Sequence, residues 1–182
     1  MRIILTLLLT VVGCLGGMRK GPHSYAITSR DGDFVFVMNA GPEGLEHERG
    51  FGICYKVQAG GKFEEVWRTS GWWSQWIELS WDGKTLARVG CWSSGDQDEV
   101  EVGESLALAL YRQGKLLKEY KVSDLVEDVD ALYPTTAGYE WWGESELGEP
   151  KFRSWKDDFY LVTKEGVKNS FELSAGSRTI TK

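Results

Sequence analysis

The densest group of side chains able to do acid–base or metal chemistry is a run of carboxylates, Asp96, Asp98, Glu99, Glu101 and Glu104. Such a run could hold Ca²⁺, which takes several oxygen ligands on a tightly curved loop. Gly95 precedes Asp96-Gln97-Asp98, but the ligand order of an EF-hand is absent. Two of these acids could serve a glycosidase if they faced each other across a cleft at a defined separation. The plainer expectation for residues 93–104 is a charged, solvated hairpin tip. Neither histidine, His23 or His47, has a nucleophile at motif spacing, and His47 reads as a solvated loop residue between Glu46 and Glu48. No G-x-S-x-G elbow, CxxC pair or Gly-rich phosphate loop before a helix occurs. No catalytic residue, metal or cofactor is therefore assigned, and a carboxylate-dependent hydrolase ranks last among the functions considered.

The tryptophans are the other group. The chain has nine, and five of them fall between Gly71 and Trp92. Indole faces stack on sugar rings and anchor protein partners, so exposed rings would make a carbohydrate-binding module. Buried rings would instead seal the gap between sheets. Neighbours on a strand face opposite sides, so one ring of Trp72-Trp73 and one of Trp141-Trp142 should point outward. These four are the candidate ligand-binding residues. Trp76 falls on the face of Trp72 if the strand is unbroken, and Trp81 and Trp92 are assigned to the scaffold.

The elements that must position these rings are strands. "YAITS" (25–29) meets "DFVFVMNA" (33–40) across an Asp-Gly turn, a strong hairpin signal because the tight turn needs positive φ. Phe34, Phe36 and Met38 share one face and Val35 and Val37 the other, so this strand should be covered on both sides. Further strands are read at 51–57, 63–70, 75–81, 84–92, 105–112 and 116–122. Ser29-Arg30-Asp31-Gly32 matches Ser80-Trp81-Asp82-Gly83, with the Asp-Gly turns 51 residues apart. Tyr55-Lys56…Gly61-Lys62 likewise matches Tyr111-Arg112…Gly114-Lys115. Two four-stranded up-and-down repeats are expected at about 25–70 and 75–122, with a weaker third part at about 158–180 turning at Glu165-Gly166. One helix is expected near 124–132: Leu125, Val129 and Leu132 fall on one helical face, Ser123 can cap it and Pro134 stops it.

The N-terminus addresses the protein. Met1-Arg2 followed by the apolar run Ile3–Val12 and then small residues has the form of a secretory signal peptide, residues 1–17, with a linker at 18–24. Ten apolar residues are too few to span a bilayer, which takes about 20. The expected location is therefore periplasmic or extracellular. In an oxidising compartment Cys54 and Cys91 either form one disulfide or stay separate buried thiols. The net charge of −6, with no basic stripe, argues against nucleic acid.

Two resemblances add to this. "VVGC", Val11–Cys14, resembles a bacterial lipobox, which implies diacylation of Cys14 and a stable lipid anchor as the only membrane contact; ordinary cleavage at Gly13 or Gly17 is the alternative. The S-x-D-G turns resemble blade signatures of bacterial β-propellers. The stretch "EVWRTSGWWSQWIELSWDGKTLARVGCW", with "LALALYRQGKLLKEYKVSDLV" after it, resembles a group of small secreted bacterial proteins without an assigned activity. That resemblance spans about residues 25–130 and implies a fold only. The expected fold is one all-β domain, residues 25–182, of antiparallel up-and-down strands. These would form propeller-blade-like repeats or a β-sandwich, because three units fall short of the four blades a closed propeller needs. The expected function is that of an exported, non-enzymatic interaction protein for an unidentified protein or envelope component.

Overall fold

The computed structural model describes residues 23–41, 50–90, 99–132, 134–135, 138–143, 150–153, 158–173 and 177–181. Cys14, His47, Cys91, Trp92, Asp96 and Asp98 lie outside the described residues. The chain is all-β: three four-stranded antiparallel sheets, each strand paired with its neighbour in sequence. The first sheet holds β1 (Tyr25–Thr28), β2 (Phe34–Asn39), β3 (Phe51–Gln58) and β4 (Lys62–Ser70). The second holds β5 (Trp76–Leu79), β6 (Thr85–Val89), β7 (Leu106–Arg112) and β8 (Lys115–Lys121). A two-stranded ribbon follows, β9 (Pro134–Thr135) with β10 (Gly138–Tyr139). The third sheet is β11 (Lys151–Phe152), β12 (Asp158–Val162), β13 (Lys168–Glu172) and β14 (Ser177–Thr181).

The S-x-D-G turns are built alike. In the first, the Ser29 hydroxyl oxygen accepts from Phe34 N at 3.1 Å, and Gly32 N donates to Ser29 O at 3.0 Å. In the second, Ser80 Oγ accepts from Thr85 N at 2.9 Å and Gly83 N donates to Ser80 O at 3.0 Å. The third part repeats the device with other residues: Thr163 Oγ1 accepts from Val167 N at 3.3 Å and Gly166 N donates to Thr163 O at 2.9 Å. There the turn joins the second and third strands of its sheet, not the first and second, because β11 precedes it. The third unit therefore begins at Lys151, earlier than the expected 158.

The second sheet is the middle layer. Its Ile77, Leu79, Leu86, Ala109 and Tyr111 pack with Phe36, Met38, Cys54 and Trp67 of the first sheet. Its opposite face, with Ala87, Val89, Leu108 and Leu110, packs with Phe159, Leu161 and Phe171 of the third. Alternation along β6 and β7 sends successive side chains into two different cores, which is why these strands read as continuous apolar runs. The β5–β6 turn fastens the first seam: Gly83 O accepts from Trp67 Nε1 at 2.7 Å and from the Cys54 thiol at 3.6 Å. The first and third sheets share no hydrophobic cluster among the described residues.

Several expectations are corrected. Strand β2 is fully covered on one face only: Phe36 and Met38 are 0% exposed, while Val35 and Val37 are part-exposed. The expected helix at 124–132 is two short pieces, α2 (Val122–Leu125) and a 3-10 turn (Val129–Ala131). The chain extends between them at Val126, itself buried. The Glu165 carboxylate holds the gap, accepting from Glu127 N at 3.0 Å and Asp128 N at 2.9 Å. Lys121, not Ser123, is the N-cap. The C-terminal part of the acidic run is a helix rather than a hairpin tip, α1 (Glu99–Glu104), because Val102 is fully buried against the second core. No helix among the described residues is long and apolar enough to cross a membrane.

Candidate functional site

Of the four candidate ligand-binding tryptophans, one ring in each pair was expected to point outward; all four are buried, which corrects that expectation. Trp72, Trp73, Trp141 and Trp142 are 5%, 2%, 0% and 6% exposed. Residues 72–74 are not a strand, so strict alternation does not apply to the first pair. The Ser74 hydroxyl donates to Val89 O at 3.1 Å and accepts from Trp76 N at 3.3 Å, kinking the chain as it leaves the first sheet. Trp72 and Trp76 consequently pack into different cores rather than on one face. Trp72 is held by its Nε1 donating to Thr69 Oγ1 at 3.2 Å, and Trp73 by its Nε1 donating to His23 O at 2.9 Å. His23, read as a linker residue, is packed against the Trp73 and Tyr25 rings.

The second pair is fixed by backbone. Gly143 N donates to Val162 O at 3.2 Å and Lys164 N to Trp141 O at 3.1 Å, tying residues 141–143 to the third sheet. Trp142 packs edge-on against Trp76 with ring centres 4.9 Å apart, across the seam between second and third sheets. Trp81, assigned to the scaffold, is the one exposed indole among the described residues, at 48%. It occupies the variable position of the S-x-D-G turn, which points out of the hairpin while Ser80, Asp82 and Gly83 do the structural work.

Cys54 is a free, buried thiol, the second of the two states considered for it. It lies on the inner face of β3 against Gly83, and burial pushes its pKa up from 9.0 to about 12. Of the acidic run, Glu101 and Glu104 are exposed, and Glu104 pairs with Lys121. No group of three or more His, Cys, Asp or Glu placed to hold a metal occurs among the described residues.

Two features were missed by sequence reasoning. The first is the outer face of the first sheet. The register sets Val35 beside Tyr55, Val37 beside Ile53 and Val57 beside Phe63, all on the side away from the second sheet. Phe63 is 61% exposed and Phe51, on the same face of β3, 40%. The signal was present in the alternation of β2 and β3, both of whose faces are apolar. The second is Arg88, in the middle of an otherwise buried strand, with its guanidinium 5.0 Å from the centre of the Trp72 ring.

No family model matches the chain, and no curated protein matches it. Among solved structures, a candidate 6-phosphogluconolactonase from Bacteroides fragilis is similar at 18% identity with a TM-score of 0.41. The similarity covers 89% of this chain and 38% of that one, so the chain spans well under half of the longer protein.

Proposed function

We propose that this is an exported, non-catalytic, all-β interaction protein, which meets a protein or another envelope component through the outer face of its first sheet. The observation that carries the reading is that face: Val35, Val37, Ile53, Tyr55, Val57 and Phe63 form one contiguous apolar surface, and Phe63 is 61% exposed. Apolar side chains clustered on an uncovered sheet face of a folded domain are a feature of interaction sites. The apolar segment Ile3–Val12 supports export, and Cys14 supports attachment by a lipid. A photo-crosslinking residue placed at position 63 in cells should give a defined adduct, whereas one at exposed Lys168 on the third sheet should not. Absence of a position-specific adduct at 63 would overturn the reading. Cys14→Ser should release the protein from membranes into the soluble exported fraction, and soluble export of the parent would end the anchor.

A second reading, a carbohydrate-binding module, is favoured by one observation, the 48% exposure of Trp81. Its test is tryptophan fluorescence against a panel of soluble glycans, with Trp81→Ala as the control.

A further inference from the structure

Strand β4 lies at the edge of the first sheet, whose order is β1-β2-β3-β4. The direction of its backbone groups follows from the register. Val57 N donates to Asp33 O at 2.8 Å, and Lys56 stands opposite Phe34. Backbone groups of successive strand residues point to alternate edges, so Tyr55 and Val57 bond to β2 while Lys56 and Gln58 bond to β4. Gln58 faces Lys62, and Lys56 faces Glu64. Lys62 and Glu64 therefore turn their N–H and C=O groups to β3, and Phe63 between them turns its own outward. Lys62 to Val66 are all exposed, Phe63 by 61% and Val66 by 45%.

An open edge offers unpaired N–H and C=O groups to any strand that can lie beside it, and native edges are commonly blunted by proline or by short length. Strand β4 has nine residues and no proline. Its ladder to β3 shifts register between Cys54 and Tyr55, where Val66 is the extra residue, so regular pairing is confined to the residues before Val66. Those residues are their own complement. Read antiparallel about Phe63, Lys62 falls opposite Glu64 and Glu64 opposite Lys62, so a second β4 meets this one with two opposite-charge pairs. Glu64 accepts a hydrogen bond from the neutral Gln58 amide at 2.5 Å, which leaves its charge unpaired. Phe63 falls opposite itself, and its ring already stands edge-on to Tyr55, with centres 6.2 Å apart and planes at 78°. Pairing two copies sets these four aromatic rings in a row across the junction.

We propose that two copies of this chain pair antiparallel through β4, about a two-fold axis at Phe63, with each Phe63 N–H donating to the carbonyl of the partner's Phe63. The paired segment is short, which sets a dissociation constant of about 0.1–1 mM. Lys62 and Glu64 lie on the opposite side of β4 from the apolar outer face. Changing their charge leaves that face intact, so the self-pairing is tested apart from the proposed recognition. The test is sedimentation equilibrium across concentrations spanning that range, on protein carrying Cys14→Ser so that no acyl chain contributes. The parent sequence should pass from monomer to dimer. Lys62→Glu and Glu64→Lys each make both charge pairs repulsive and should weaken dimerisation by about tenfold or more. An equimolar mixture of these two variants restores both pairs and should associate as the parent does, and so should the double swap Lys62→Glu/Glu64→Lys. A parent that stays monomeric throughout, single variants that dimerise as the parent does, or a mixture no more associated than its two components overturns the proposal.

Discussion

At the scale of single residues, the described indoles separate into rings that hold the sheets together and one, Trp81, that does not. Trp67 donates into the turn of the neighbouring sheet and is 7% exposed, so Trp67→Ala should lose about 3–5 kcal/mol in chemical denaturation. Trp81→Ala, at a 48% exposed position, should lose under about 1 kcal/mol in the same measurement. Cys54 gives a pH-dependent expectation. Its thiol ionises near 9.0 when unfolded and only near 12 when folded, so the unfolded chain sheds its proton first. The stability it contributes is complete below pH 9.0 and declines as pH rises through about 12. Denaturation midpoints measured from pH 7 upward should fall in the parent, and Cys54→Ala should remove that component of the fall. The parity of β2 was legible from sequence because alternation is a local property of extended chain. The fate of Trp72 and Trp73 was not, because the Ser74 kink breaks the alternation through hydrogen bonds to a strand 15 residues away.

At the scale of elements, the recurring unit is the turn in which a hydroxyl residue accepts the backbone N–H that follows the loop. The two S-x-D-G copies were legible because the motif is short and local. The third was seen only as Glu165-Gly166, since Thr163 and Glu165 replace Ser and Asp and the loop is one residue shorter. The turns differ in what surrounds them, and that yields a contrast. Gly32 has φ +76° and open space around its missing side chain; Gly83 has φ +66°, and a Cβ there would meet the Phe34 ring at 2.4 Å. Gly32→Ala should cost about 1 kcal/mol from backbone strain alone. Gly83→Ala should cost clearly more, because strain and overpacking at the sheet seam combine. Equal losses in urea unfolding would mean that the β5–β6 turn does not dock as described. The helix expected at 124–132 failed for a reason of the same kind: its apolar positions do reach the core, but Glu165 from a distant turn takes the backbone N–H groups of residues 127 and 128.

At the scale of the molecule, the three sheets stack in chain order and, among the described residues, only the middle one is covered on both faces. The repeat made three antiparallel units legible from sequence. It did not reveal which face of each would be covered, since that depends on the stacking. The proposed recognition uses the outer face of the first sheet. Phe63→Glu, at 61% exposure, should leave the unfolding midpoint nearly unchanged while abolishing the partner adduct formed from a crosslinker at exposed Phe51. Trp67, Trp72, Trp73, Trp76, Trp141 and Trp142, by contrast, belong to the two seams. This division is tested most directly by incorporating 5-fluorotryptophan and reading the ¹⁹F solvent isotope shift of each assigned ring between H₂O and D₂O. Trp81 should show a large shift, and Trp67, Trp72, Trp73, Trp141 and Trp142 small ones. Shifts at Trp72 and Trp73 as large as that at Trp81 would contradict it.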